Sequence, residues 1–303
     1  MTNVIEVTNL KKRYPSTLAV AGVTFSVRKG EVFGLLGENG AGKTTTLEII
    51  EGIRKPSEGT VRVFGKDVTK PSELRAVKDR IGVQLQSTAY YKFLTVREIL
   101  ELFGSFYDRH LDPDKLIAMV GLEEKTNAFV GSLSGGQQQR FSIAASLLND
   151  PEIVFLDEPT TGLDPRARRN LWELIESVKA QGKTIVLTTH YMEEAELLCD
   201  RIAIMDAGKI AAIDTTAALI KRASCPVRID FSLTSLSDAQ AKVLRGFGEL
   251  TSQGEAHSLG VARANEAPDA AAAILKLKPA EFSMHNATLE DVFIELTGKR
   301  IEA

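Results

Sequence analysis

Cysteine is nearly absent: the 303 residues hold two, Cys199 and Cys225. They show no metal-ligand spacing and are too few for a disulfide framework, so a reduced, cytoplasmic compartment is expected. Strong charge of one sign is also missing. The formal net charge of −3 excludes a chain built as a whole to coat nucleic acid or an anionic membrane. No run approaches the ~18 apolar residues of a membrane span, and MTNVIEVTNLKKRY, the first stretch, has no apolar signal region. Any action at a membrane therefore calls for a partner that supplies the span. Low-complexity segments and repeats of 20–50 residues are lacking too.

What is present is ordinary globular composition, 44% hydrophobic and 25% charged, with length for two domains at ~150 residues each. Strand-like runs at 4–7 and 20–27 flank the polar, turn-rich LKKRYPST. An apolar strand over 31–36 leads into a glycine-rich loop and a helix over 43–51; further strands are expected at 60–64 and 81–85. From about 88 to 149 the character turns helical: Val96, Ile99, Leu100 and Phe103 recur at helical spacing. Asp112 before Pro113 reads as an N-cap, as does Asp164 before Pro165. Buried strands are expected at 184–189 and 201–205. Alternating strands and helices point to an α/β sheet carrying a helical insertion. Past about 222 the pattern resets to strand, helix, two strands, helix, strand and a last helix capped by Thr288. That order fits a small α+β domain of ferredoxin-like type. The expected division is 1–221, with a helical subdomain at about 88–149, and 222–303.

The chemistry begins with GENGAGKTT at 37–45. Gly37, Gly42, Lys43 and Thr44 satisfy G-x-x-x-x-G-K-[ST]. Glu38, Asn39, Gly40, Ala41 and Thr45 complete the loop, in which Glu38 contributes mainly backbone. Glycines let N–H groups converge on an anion, and the helix that follows adds its positive end. Lys43 can reach the β and γ phosphates, and the Thr44 hydroxyl suits Mg²⁺. Farther on, an apolar strand over 153–156 ends in Asp157. The carboxyl end of such a strand faces the ligand crevice of an open α/β sheet, and one carboxylate plus phosphates is the usual setting for Mg²⁺. Glu158, next in line, can act on an attacking water as general base. Between them, Leu133-Ser134-Gly135-Gly136-Gln137 offers a hydroxyl and unobstructed N–H groups at a helix start, a second anion site.

These parts, in this order, resemble the nucleotide-binding subunit of an ATP-binding-cassette (ABC) transporter over about residues 4–220. GENGAGKTT resembles the Walker A loop, LSGGQ the signature motif, IVFLDEP the Walker B strand, TGLDP at 161–165 the D-loop with Asp164 at the nucleotide site, and His190 the switch histidine that contacts the γ-phosphate. LSGGQ is far more specific than the phosphate loop, which unrelated NTPases share. The resemblance implies ATP and Mg²⁺ as ligands, with Thr44, Asp157 and Gln86 on the metal. It also implies that Ser134, Gly135, Gly136 and Gln137 serve ATP bound to an opposite subunit, so that two copies, or one and a relative, sandwich two ATP molecules. Tyr14 resembles the aromatic that stacks on adenine, although a flat ring also suits packing against a sheet edge. In IGVQLQ, which lacks the proline often preceding the functional glutamine, Gln86 is better placed than Gln84. The run Arg166, Arg168 and Arg169 reads as a solvated face.

The expected function is ATP hydrolysis that closes and opens a dimer and so drives a separate transmembrane permease. The working place is the inner face of the membrane, and no nucleic acid is expected. ATLEDVFIELTGKR and TVREILELFGSFY resemble bacterial multidrug and daunorubicin-resistance-type exporter ATPases, which implies export. The alternatives are an importer ATPase or a soluble ABC ATPase acting on ribosomes or DNA. One cassette per chain, and a short segment between Gln86 and Leu133, speak against the latter.

Overall fold

The computed structural model describes residues 2–84 and 90–299. Contacts divide them into two compact units, one up to Thr215 and one from Thr216.

The first unit opens with β1 (Asn3–Arg13), β2 (Leu18–Arg28) and β3 (Val32–Leu36), then α1 (Lys43–Ile50), β4 (Glu58–Val63), β5 (Lys66–Asp67), α2 (Pro71–Lys78) and β6 (Ile81–Gln84). The helical segment holds α3 (Val96–Gly104), α4 (Pro113–Met119) and α5 (Gly135–Ser146). It is followed by β7 (Ile153–Asp157), α6 (Pro165–Ala180), β8 (Thr184–Thr189), α7 (Met192–Leu198), β9 (Arg201–Asp206) and β10 (Lys209–Asp214). Six strands form a sheet in the order β10-β9-β3-β8-β7-β6, parallel except for β10. Its central strands are buried along their length, as a parallel sheet covered on both faces requires. A second, antiparallel sheet, β2-β1-β4-β5, shares one hydrophobic core with it: Ile5, Val7, Val23 and Val61 pack with α1 residues Leu47 and Ile50 and with Phe33, Phe155 and Val186.

LKKRYPST is not all turn. Lys11, Lys12 and Arg13 extend β1 and pair with Ala21, Val20 and Leu18 of β2, leaving the turn to the Tyr14 and Thr17 backbone. The ladder to β2, with Leu10 fully buried, outweighs a polar local sequence. The expected strand at 81–85 ends at Gln84 within the described residues. Helices α4 and α6 start where the caps predict: Asp112 accepts from Asp114 N, and Asp164 from Arg166 N and Ala167 N. None of the described helices is long and apolar enough to cross a membrane.

The second unit runs α8 (Thr216–Ile220), β11 (Val227–Ser232), α9 (Asp238–Arg245), β12 (Gly248–Gln253), β13 (Ala256–Val261), α10 (Ala267–Leu275), β14 (Glu281–Asn286) and α11 (Leu289–Thr297). The antiparallel strand order is β12-β13-β11-β14, from a βαββαβ succession in β11 to β14. Ile229, Phe231, Leu259 and Val261 turn one face of this sheet toward Leu244 of α9 and Ile274 of α10.

Candidate functional site

Four adjacent strands deliver the predicted residues to one edge of the parallel sheet. Register pairs Leu36 of β3 with Thr189 of β8, Thr188 with Asp157 of β7, and Leu156 with Gln84 of β6. The phosphate loop follows β3, His190 follows β8, and Asp157 with Glu158 ends β7, so their carboxyl ends line one crevice.

The loop itself has room only for glycine at its key points. Gly42 has φ +98, and a Cβ there would run into the Ala19 carbonyl; at Gly37 it would meet the Met205 carbonyl. Gly42 is also the N-cap of α1 and offers no side-chain cap. The first-turn N–H groups of α1, which have no intrahelical acceptor, are left to an anion. This cradle fits a polyphosphate. Lys43 Nζ lies over it, donating to the carbonyls of Gly37 (2.7 Å) and Glu38 (3.0 Å). Burial pulls its pKa below the ordinary lysine range, against the opposing pull of Glu158.

Thr44 and Asp157, far apart in sequence, touch: Thr44 Oγ1 donates to Asp157 Oδ1 at 3.1 Å, and Thr188 Oγ1 donates to the same oxygen. Burial pushes the Asp157 carboxyl above its usual range, and the two hydroxyls pull it back. A carboxylate beside a hydroxyl, at the mouth of a phosphate cradle, is a hard oxygen donor set that fits Mg²⁺ shared with phosphates.

Glu158 is held as few residues are. Its φ is +47, a left-handed conformation that costs a non-glycine residue roughly 1–3 kcal/mol. Its N–H donates to Thr188 O (3.2 Å) and Thr188 Oγ1 (3.0 Å), and Thr161 Oγ1 donates to its Oε2 at 3.3 Å. Oε1 faces Lys43 Nζ at 3.4 Å and His190 Nδ1 at 3.5 Å. Thr188 thus orients both acids, a role the sequence reading missed although TTH lay in plain view. Gln86 lies outside the described residues.

The LSGGQ segment forms a separate cleft. Ser134 is the N-cap of α5, in a capping box with Gln137: Ser134 N donates to Gln137 Oε1 at 3.0 Å, and Gln137 N to Ser134 Oγ at 3.4 Å. Gly135 is exposed; a Cβ on Gly136 would sit 3.2 Å from Ala167 Cβ. Arg140, Arg166 and Asn170 line the same cleft, so Arg166 stands at the signature segment as well as at the surface. Arg168 departs further from the solvated face expected of the run: its Cζ lies 4.3 Å from the Tyr191 ring centroid. Asp164 spends Oδ1 on the first two N–H groups of α6, both at 2.9 Å.

Tyr14 lines a cavity of about 630 Å³ together with Pro15, Leu18 and Ser57. Lys12 Nζ and Arg54 Cζ lie 5.4 and 5.5 Å from its ring centroid, so the aromatic sits in a cationic setting at the end of β1.

Comparison with known proteins identifies the family. The profile of the ABC transporter family matches residues 20–161. The Nod factor export ATP-binding protein I of Burkholderia orbicola (strain AU 1054) is 40% identical over 98% of this chain and 98% of its own length. Its namesake from Ralstonia nicotianae (strain ATCC BAA-1114 / GMI1000) is 37% identical over 99% and 95%. Among solved structures, the dimeric post-hydrolysis state of the ATP-binding cassette MJ0796 bound to ADP and Pi is 29% identical, with a TM-score of 0.64, and covers 70% of this chain and 98% of that one. The ADP conformation of the cassette MJ1267 is 27% identical, with a TM-score of 0.65, over 74% and 95%.

Proposed function

The chain belongs to the ATP-binding subunits of ABC transporters, and from that premise we propose how its residues divide the work of an exporter ATPase. The observation that carries the reading is the convergence of Lys43, Thr44, Asp157, Glu158 and His190 at one sheet edge. The α1 cradle seats the phosphates of ATP. Lys43, now spent on two loop carbonyls, turns to the β and γ phosphates. Thr44 and Asp157 would hold Mg²⁺, which would supply neutralisation of phosphate charge. Glu158 accepts a proton from the attacking water while the γ-phosphoryl passes to that water, leaving ADP and inorganic phosphate. His190, beside Glu158, contacts the γ-phosphate. Tyr14 carries the adenine, and Gln86 reaches the metal or the water.

The cleft at Ser134, Gly136 and Gln137, with its two arginines, takes the γ-phosphate of ATP on a second chain, giving a head-to-tail dimer. Support comes from the likeness to a dimeric cassette. ATP closes this dimer by placing charge between the two anion sites, and phosphate loss lets it open.

Export is supported by relatives named as export ATP-binding proteins, matched along nearly the whole chain. A separate transmembrane permease holds the chain at the inner membrane face. Support for a partner surface comes from Tyr91, Phe93 (86% exposed) and Phe129, all exposed, the last two on segments joined by the Val130 N to Leu94 O hydrogen bond; exposed apolar patches mark partner contacts.

Glu158→Gln tests the core of the reading. It is expected to bind Mg-ATP, hydrolyse it very slowly and elute as a dimer in size exclusion. Undiminished turnover would overturn the general-base assignment.

A further inference from the structure

Two residues on one face of α6 grip the segment that carries His190. Arg168 and Trp172 are four apart, hence neighbours on the helix surface. Arg168 stacks on the Tyr191 ring, which lies 4.2 Å from the His190 ring. Trp172 Nε1 donates to Glu194 Oε1 at 3.2 Å. Glu194, on the first turn of α7, is fully buried.

A buried carboxyl is costly unless its oxygens are satisfied. Here one is satisfied by Trp172, and the Thr160 hydroxyl is buried beside the carboxyl. Burial pushes the Glu194 pKa up; the hydroxyls of Thr189 and Thr160, Trp172 and the charge of Arg168 oppose it. The groups around this carboxyl thus come from three places: Thr160 just after Glu158, Thr189 just before His190, and α6, entered through the 161–165 loop. That loop also reaches Glu158 through Thr161. An apolar residue would fill such a position at less cost.

We infer that Glu194 is a positioning residue for the ATPase reaction: held by Trp172, it fixes the turn that bears His190 against the helix entered by the 161–165 loop. Fully buried, it acts through His190 rather than on the nucleotide itself. The inference rests on the role proposed above for His190.

The test uses the full chain in three variants. Trp172→Phe keeps the ring and removes the donor; Glu194→Gln keeps the shape and removes a charge and an acceptor; His190→Ala is the reference. The first two are expected to lower kcat about 5- to 10-fold with KM for ATP changed less than about 2-fold, as a displaced group costs rate. In histidine-labelled protein they are also expected to shift the His190 ring resonances, identified by their loss in His190→Ala. Unchanged kcat in both variants would overturn the inference, and so would reduced kcat with unmoved His190 resonances. If His190→Ala itself turns over normally, the proposed role of His190 fails instead, and the resonance shifts still report whether Glu194 positions the ring.

Discussion

Lys43 Nζ and Glu158 Oε1 face each other at 3.4 Å, with side chains only 4% and 6% exposed. Each is the other's compensation for lost water. Removing one partner of a buried pair leaves an uncompensated charge, which costs roughly 3–5 kcal/mol, whereas removing both costs far less. Lys43→Met and Glu158→Gln are each expected to lower unfolding stability without nucleotide. The double variant should lose less than the sum, by about 1–3 kcal/mol. Urea unfolding followed by Trp172 fluorescence suits the measurement, because the chain's one tryptophan sits in the first unit. Strict additivity would show that the pair does not stabilise the site.

Glu51, at the C-terminal end of α1, is 2% exposed. Burial pushes its pKa up to about 8, and the negative charges of Asp157 and Glu48 add to the effect. A carboxyl whose folded pKa exceeds its ordinary value of 4.5 binds its proton more tightly when folded. Its contribution to stability is therefore full below about pH 4.5 and is lost as pH rises through about 8. Glu51→Gln removes that loss, so it is expected to gain on the wild type by on the order of 2–4 kcal/mol between pH 5 and pH 9. Urea midpoints across this range decide it. Parallel curves for the two proteins would mean that Glu51 is ionised in the folded chain.

The candidate site was legible because its motifs are local. The phosphate loop, the acid pair after an apolar strand and the N-caps at Asp112, Asp164 and Thr288 each need only a few consecutive residues to be recognised, and the last three are caps in the structure. What escaped depends on residues distant in sequence. Lys11, Lys12 and Arg13 look like a turn until β2 pairs with them. Helix α2 and strand β10 are short and polar or half-exposed, with few apolar residues to betray them. Arg168 reads as solvated until Tyr191 supplies a ring, and Thr188 gains its role only where β8 lies beside β7. Backbone pattern marks the elements, but side-chain partners are set by the sheet order.

In the second unit, Asp291 serves two structures at once. Its Oδ2 accepts from Thr288 N (2.8 Å) and Thr288 Oγ1 (2.9 Å) in the capping box that starts α11. Its Oδ1 pairs with Arg228 Nε of β11. Asp291→Ala removes the N3 half of the capping box, leaving Thr288 as the N-cap, and strands a largely buried arginine. A loss of roughly 2–4 kcal/mol is expected. Hydrogen exchange is the sensitive readout: amides of α11 and β11 should lose protection. Unchanged protection in both would show that packing of Leu289 and Phe293, not Asp291, holds the helix.

The signature cleft and the phosphate loop are built from different elements: Ser134 caps α5, and Lys43 opens α1. If a working site takes its loop from one chain and its cleft from another, damage to the two halves can be complemented. A Lys43→Ala chain mixed with a Ser134→Arg chain forms a dimer in which one composite site carries both lesions and the other carries none. Each variant alone should be inactive, since both of its sites are damaged. The mixed dimer should recover up to about half the wild-type ATPase rate per dimer when the sites act independently. Native mass spectrometry confirms that the mixed species is present. Absence of any recovery in confirmed mixed dimers would place Ser134 and Lys43 in the same site, or show that neither site fires unless both are whole; a dimer with one Lys43→Ala chain and one wild-type chain separates these outcomes, because it keeps one intact site and is inactive only under strict coupling.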